Sequence, residues 1–183
     1  MEERFKGFAD LLNPDSRSRY REVGPGSLEA FHRVISAIDL NPDVPQDIRN
    51  HFVTAKHLAV YSWFVYTFCM AAQSHAYATL EFALRERLGY SGKDRPPTLR
   101  PLWHSAIKAG LLRDEGFHDW PGRQMQSTQS TSAPSTEWVS RIGESLAGLR
   151  NFLAHGSSSL YPEHWWVLQF VSDAINQLYP RDT

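Results

Sequence analysis

The chain has one cysteine, Cys69. A single thiol excludes a disulfide framework and any Cys-rich zinc or iron–sulfur site, and its place in an apolar run marks it as buried rather than reactive. A surplus of either charge is also missing. Lys and Arg number 19 against 20 Asp and Glu, a formal net charge of −1, which argues against a histone-like binder of nucleic acid. No apolar run is long enough to cross a bilayer. The longest, Leu58 to Ala72 (LAVYSWFVYTFCMAA), has 15 residues, is interrupted by Tyr, Ser and Thr, and falls short of the ~20 a span requires. The first residues, Met1 to Phe5, lack the basic region and apolar stretch of a secretory signal. A cytoplasmic protein without a membrane partner is therefore expected. The phosphate-binding glycine loop, GxSxG, HExxH and the Asp-rich calcium loop are all absent. The eight histidines are scattered without carboxylates at ligand spacing, so neither a metal nor a cofactor is expected. His32, His75, His104 and His118 read as surface or half-buried side chains.

What the chain does have is a globular composition, 42% apolar with 13% aromatic and six Trp among 183 residues, enough for one well-filled core. Residues 1–26 read as an N-terminal helical arm (Phe5, Phe8, Leu11, Leu12), and 27–183 as a single helical domain. Ser27 is placed to cap a helix through Leu40, with Leu28, Phe31, Val34, Ile35 and Ile38 on one face. Asn41-Pro42 stops it and Pro45 opens the next. Gln46 to Leu88 holds neither Pro nor Gly and predicts one long helix, bent near its aromatic run and ended by Gly89. Thr98 caps a short helix ended by Gly110. A long connection follows, with a mobile loop at about 123–135. Thr136 caps a helix carrying Val139, Ile142, Leu146, Leu149 and Leu153, and Pro162 opens the last, with Val167, Val171, Ala174, Ile175 and Leu178 inward. Period-two alternation is missing throughout. The expected fold is all-α, a bundle of four to six helices.

One constellation stands apart. Leu149 to Gly156 reads LRNFLAHG, containing Arg-Asn-x-x-x-His. Random placement of this chain's Arg, Asn and His yields that pattern only ~0.02 times. Asn151 and His155 are four apart, on one helix face. Arg150 and His155 lie roughly 140° apart around the helix axis, so one helix does not bring both to one reactant. Two helices facing across a two-fold axis would. At a helix C-terminus an imidazolium is favoured, and a histidine titrating near neutrality suits proton transfer. Arginine is always charged and holds phosphate through two parallel bonds. Together these suit metal-independent RNA cleavage, in which a 2′-hydroxyl attacks the neighbouring phosphate. The same residues admit a structural reading, since a His before a capping Gly also serves simply to bond the last helical carbonyls.

LRNFLAHG resembles the signature of the HEPN superfamily: Arg, a polar residue, three variable residues, His. The order of AYATLEFALRERLG, LRPLWHSAIKAGLL, a variable connection and the motif helix is also similar to that family's layout, over roughly Tyr61 to Tyr179. The resemblance implies an all-α homodimer with the two motifs facing each other, and a metal-independent endoribonuclease serving as a toxin or phage-defence effector. By this likeness Arg150 and His155 are catalytic, Asn151 orients them, and RNA is the substrate, with an antitoxin or regulatory protein as a further partner. Glu81 is a candidate supporting partner for Arg150. Position 157 is Ser, where toxins paired with nucleotidyltransferases have Tyr. Residues 85–123 carry a +3 surplus, and Arg85, Arg87, Lys93, Arg95 and Arg100 are candidate RNA contacts. The family also contains non-catalytic members, so a nucleotide- or protein-binding module is the alternative.

Overall fold

The apolar stripes become six α-helices in the computed structural model, which describes residues 5–20, 26–90, 92, 95, 97–119, 135–154 and 164–181. The side chains at 19, 20, 147, 149–154 and 164 fall outside that description. No strand occurs among the described residues. Helix α1 (Leu28–Ala37) begins where Ser27 accepts the Ala30 N–H at 3.2 Å, using one of the donors a helix start leaves unpaired. It buries Phe31 and Ile35 and ends before the expected Leu40. Ile38 and Leu40 continue into the core in non-helical backbone.

The single long helix expected from Gln46 to Leu88 is instead two, α2 (Gln46–Tyr61) and α3 (Phe68–Arg87). The break at 62–67 has an identifiable cause that is neither Gly nor Pro. Ser62 donates its hydroxyl to the Ala59 carbonyl at 2.7 Å, a local bond that competes with the helical ladder. The arm then takes up backbone groups exposed there. Asp15 donates its N–H to the Trp63 carbonyl at 2.9 Å, and its carboxylate accepts the Tyr66 N–H at 3.3 Å. The break lets α2 fold back along α3, its most extensive helical partner.

Helix α4 (Leu99–Lys108) starts after Thr98, whose side chain makes no capping bond, and is followed by Gly110 at φ +71°, the left-handed position that favours glycine. Helices α5 (Glu137–Ala154) and α6 (His164–Leu178) complete the set. Helix α3 is the hub. It packs on α2, α4, α5 and α6, burying Ala72, Ala76, Tyr77, Leu80, Ala83 and Leu84. The inward residues expected on α6 (Val167, Val171, Ala174, Ile175, Leu178) are all buried, as is Cys69. No helix of the described residues is long and apolar enough to cross a membrane. Between α4, α5 and α6 lies an aromatic cluster in which Phe117 meets Phe170 at 5.1 Å and Trp138 at 5.3 Å, and Trp103 and Trp166 meet Phe170 at 5.6 and 5.7 Å.

The described part of the arm, 5–20, is helical in 3₁₀ rather than α form. It forms two short 3₁₀ turns, Phe8–Asp10 and Ser16–Tyr20. Pro14 between them disfavours helical backbone at Asn13. The loop expected at 123–135 lies outside the described residues, apart from Ser135.

Candidate functional site

Arg150 and Asn151 of the motif lie near the end of α5, whose backbone is helical through them to Ala154. The Arg150 and Asn151 side chains and all of His155 lie outside the described residues, as does Gly156.

The other end of α5 is fixed in detail. Thr136 was the expected cap, but the Glu137 N–H donates to the Ser135 hydroxyl at 3.4 Å and the next two helical N–H groups go to Asp114, 24 residues before Trp138. Its buried carboxylate accepts the Trp138 N–H at 3.2 Å and the Val139 N–H at 2.9 Å. A carboxylate at a helix N-terminus also meets the positive end of the macrodipole. Two further bonds clasp the same region: Asp114 donates its N–H to the Ser135 carbonyl, and Ser135 donates its N–H to Glu115. The flank of α5 lies close on α4. At Gly143 a Cβ would stand 2.4 Å from a ring carbon of Trp103, so only glycine permits this approach. The Trp103 indole N–H donates to the Val139 carbonyl at 3.0 Å. Val139 and Leu146 are buried.

The charged candidates divide. Glu81 is buried on α3 and accepts a hydrogen bond from Arg85, one turn on. Arg100 of α4 pairs with Glu144 of α5, and His104 adds a contact to the same carboxylate at 3.3 Å. The Arg100 hydrogen bond is the main reason the Glu144 carboxyl lies below its ordinary value. Arg87 lies over the Tyr179 ring at 5.9 Å, Arg95 is exposed, and Lys93 is outside the described residues. Arg85 and Arg100 thus have carboxylate partners already, which reduces the positive field a phosphate backbone would meet. Among the described residues no group of three or more His, Cys, Asp and Glu is arranged to hold a metal ion.

A second constellation escaped the sequence reading. Asp173, buried on α6, accepts both the backbone N–H of His118 at 2.8 Å and its ring Nδ1, 2.6 Å away, with Gln169 donating to the same carboxylate at 2.9 Å. His118 thereby lines a recess of about 440 Å³ formed with Trp165, Trp166, Gln169, Val34 of α1 and Ile38 just beyond it. The only sequence signal was a carboxylate amid the apolar stripe of the last helix. On the other side of the bundle His51 stacks on His75 at 5.5 Å. Burial, and then the His51 charge, hold His75 below the ordinary imidazole value.

Comparison with family models, with curated proteins and with solved structures finds no match to this chain.

Proposed function

We propose that the protein is a metal-independent endoribonuclease of HEPN type acting as a homodimer, with the motif helices facing across a two-fold axis. One observation carries the reading: Arg150 and Asn151 of the Arg150-Asn151-x-x-x-His155 motif lie on a helix that runs to Ala154 in an all-helical bundle. In the proposed reaction His155 takes the proton of a ribose 2′-hydroxyl, whose oxygen then bonds to the adjacent phosphorus. The bond from phosphorus to the 5′-oxygen breaks, and that oxygen receives a proton. The products are a 2′,3′-cyclic phosphate and a 5′-hydroxyl. Arg150 of the facing copy offsets the charge on the phosphorane, and Asn151 orients the imidazole. A toxin or phage-defence role in the cytoplasm, held in check by an antitoxin or regulatory protein, fits such an activity.

The test is degradation of RNA in the presence of a chelator. The parent chain is expected to cleave, with a rate that changes between about pH 5 and 8. His155→Ala should lose the activity, and Arg150→Lys should keep only a small part of it, because lysine retains the charge but not the bidentate contact. Equal cleavage by His155→Ala would remove His155 from the chemistry.

The recess holding His118, Trp165 and Trp166 favours a second reading, a non-catalytic HEPN-like module that binds a nucleotide by stacking on indole. A preparation inert toward RNA from pH 5 to 9 that nonetheless retains a nucleotide, and loses it on Trp166→Ala, would support the module over the nuclease.

A further inference from the structure

The exposed large apolar side chains fall mainly into two groups. The arm holds Phe5, Phe8, Leu11 and Leu12, with Phe5 and Phe8 more than 90% exposed. Val53 and Tyr61, also exposed, belong to a groove of about 440 Å³ between α1 and α2, floored by Leu28, Ile35, Val60 and Phe64.

The arm is held in an outward posture. Its root is tied down by the Asp15 bonds to Trp63 and Tyr66, and by Ser18, which donates to the Ser62 carbonyl. Arg17 reinforces the root by pairing with Asp15 at 2.7 Å and lying over the Tyr66 ring. Beyond the root, the turn is closed by Asn13, which donates its N–H to the Asp10 carbonyl and its amide to the Asp10 carboxylate, and whose own carbonyl accepts from Lys6. These bonds keep the apolar side chains pointed into solvent. An ordered segment that presents four exposed apolar side chains is a candidate to bind another molecule, since large exposed apolar patches mark interaction sites.

We propose that the arm of one copy seats in the α1–α2 groove of a second copy, and the reverse, as a reciprocal arm exchange. The groove's polar lining suits the acidic side chain of the arm. Its polar lining consists of His32, Ser36, Lys56 and His57 and contains no carboxylate, while the arm carries Asp10 beside Phe8. Lys56, which lies 3.9 Å from Asp39 and donates to the Ser36 carbonyl at 3.3 Å, gives that lining a positive charge. The area suffices. A buried aromatic side chain covers about 150–250 Å². Two arms in two grooves, counting both surfaces, reach the ~1,200–2,000 Å² of a stable interface. The exchange does not depend on the ribonuclease reading.

The test is a mixed cross-link. Phe8→Cys and Val53→Cys are made in separate chains, each with Cys69→Ala so that no native thiol competes. The two proteins are mixed and oxidised with copper phenanthroline. Arm exchange predicts a covalent dimer of twice 20.9 kDa that forms from the mixture at least tenfold faster than from either protein alone. A double variant that links only within its own chain, with no link in the mixture, would show that the arm closes its own groove and would overturn the proposal. So would no link in either, or equal linking in the single-variant controls. Should Cys69→Ala lower the helix content, the same pair is run with Cys69 retained, since that thiol is fully buried.

Discussion

Asp114→Ala removes the acceptor that starts the motif helix. The carboxylate receives two backbone N–H groups, from Trp138 and Val139, and is itself 1% exposed. Water cannot readily replace it, so both donors are left buried. Hydrogen bonds to a charged group contribute about 1.5–3 kcal/mol each, and loss of an N-cap costs about 0.5–2 kcal/mol. The two bonds share one carboxylate and do not add fully, which puts the expected loss at about 2–4 kcal/mol. For a chain of this size that lowers Tm by about 4–16 °C. Asp114→Asn keeps one oxygen in place and should lose about half as much. The assay is urea unfolding followed by far-UV circular dichroism, with the slope against urea unchanged if the native state stays compact. An Asp114→Ala protein melting within 2 °C of the parent would refute the reasoning, because Thr136 or solvent would then be capping the helix as well as Asp114 does.

Three further outcomes follow from the same structure. Gly143→Ala drives a methyl into the Trp103 ring; it should cost about 1–3 kcal/mol despite alanine's better helix propensity, and a rise in Tm would show that α4 moves aside freely. The Tyr77 hydroxyl is buried with no hydrogen-bond partner among the described residues, and burial pushes its pKa up to about 12; Tyr77→Phe should be neutral or stabilise by up to about 1 kcal/mol, and a loss above that in a thermal melt would reveal an acceptor. Asp15 is held down to about 2, first by its side-chain hydrogen bond from Arg17. A carboxyl depressed in the folded state stabilises above its ordinary value and releases that stability as pH falls. The arm root should therefore loosen between about pH 4 and 2, read as faster proteolysis by pepsin at the arm, and Asp15→Asn should already be loose at pH 7.

Much of the architecture was legible because it follows the 3.6-residue period. Ser27, Pro45, Gly110 and the inner face of α6 are local features, and local chemistry placed them. The misses come mainly from partners remote along the chain. The break that the local Ser62–Ala59 bond begins is held by Asp15, about fifty residues from Trp63 and Tyr66. The cap of α5 comes from Asp114 and not from the adjacent Thr136. The His118–Asp173 pair joins a loop to the last helix, and neither residue has a distinctive neighbourhood in sequence. The candidate motif is the converse case. Its signal is all in spacing, Arg150 and Asn151 followed by His155, and of that run the described backbone, 150–154, is helical.

The aromatic cluster around Phe170 has an optical consequence. Trp103, Trp138 and Trp166 come from three different helices, and all ring against Phe170 within 6.5 Å. Half of the protein's tryptophans thus report on one junction, the place where the motif helix is clamped between its neighbours. Indoles held in fixed, asymmetric surroundings give sharp near-ultraviolet dichroism, and that signal vanishes when side-chain packing loosens even if helix content persists. The molecule therefore carries its own gauge of whether α5 is seated. Any variant, ligand or partner that shifts that helix should change the band near 290 nm before it changes the far-ultraviolet spectrum.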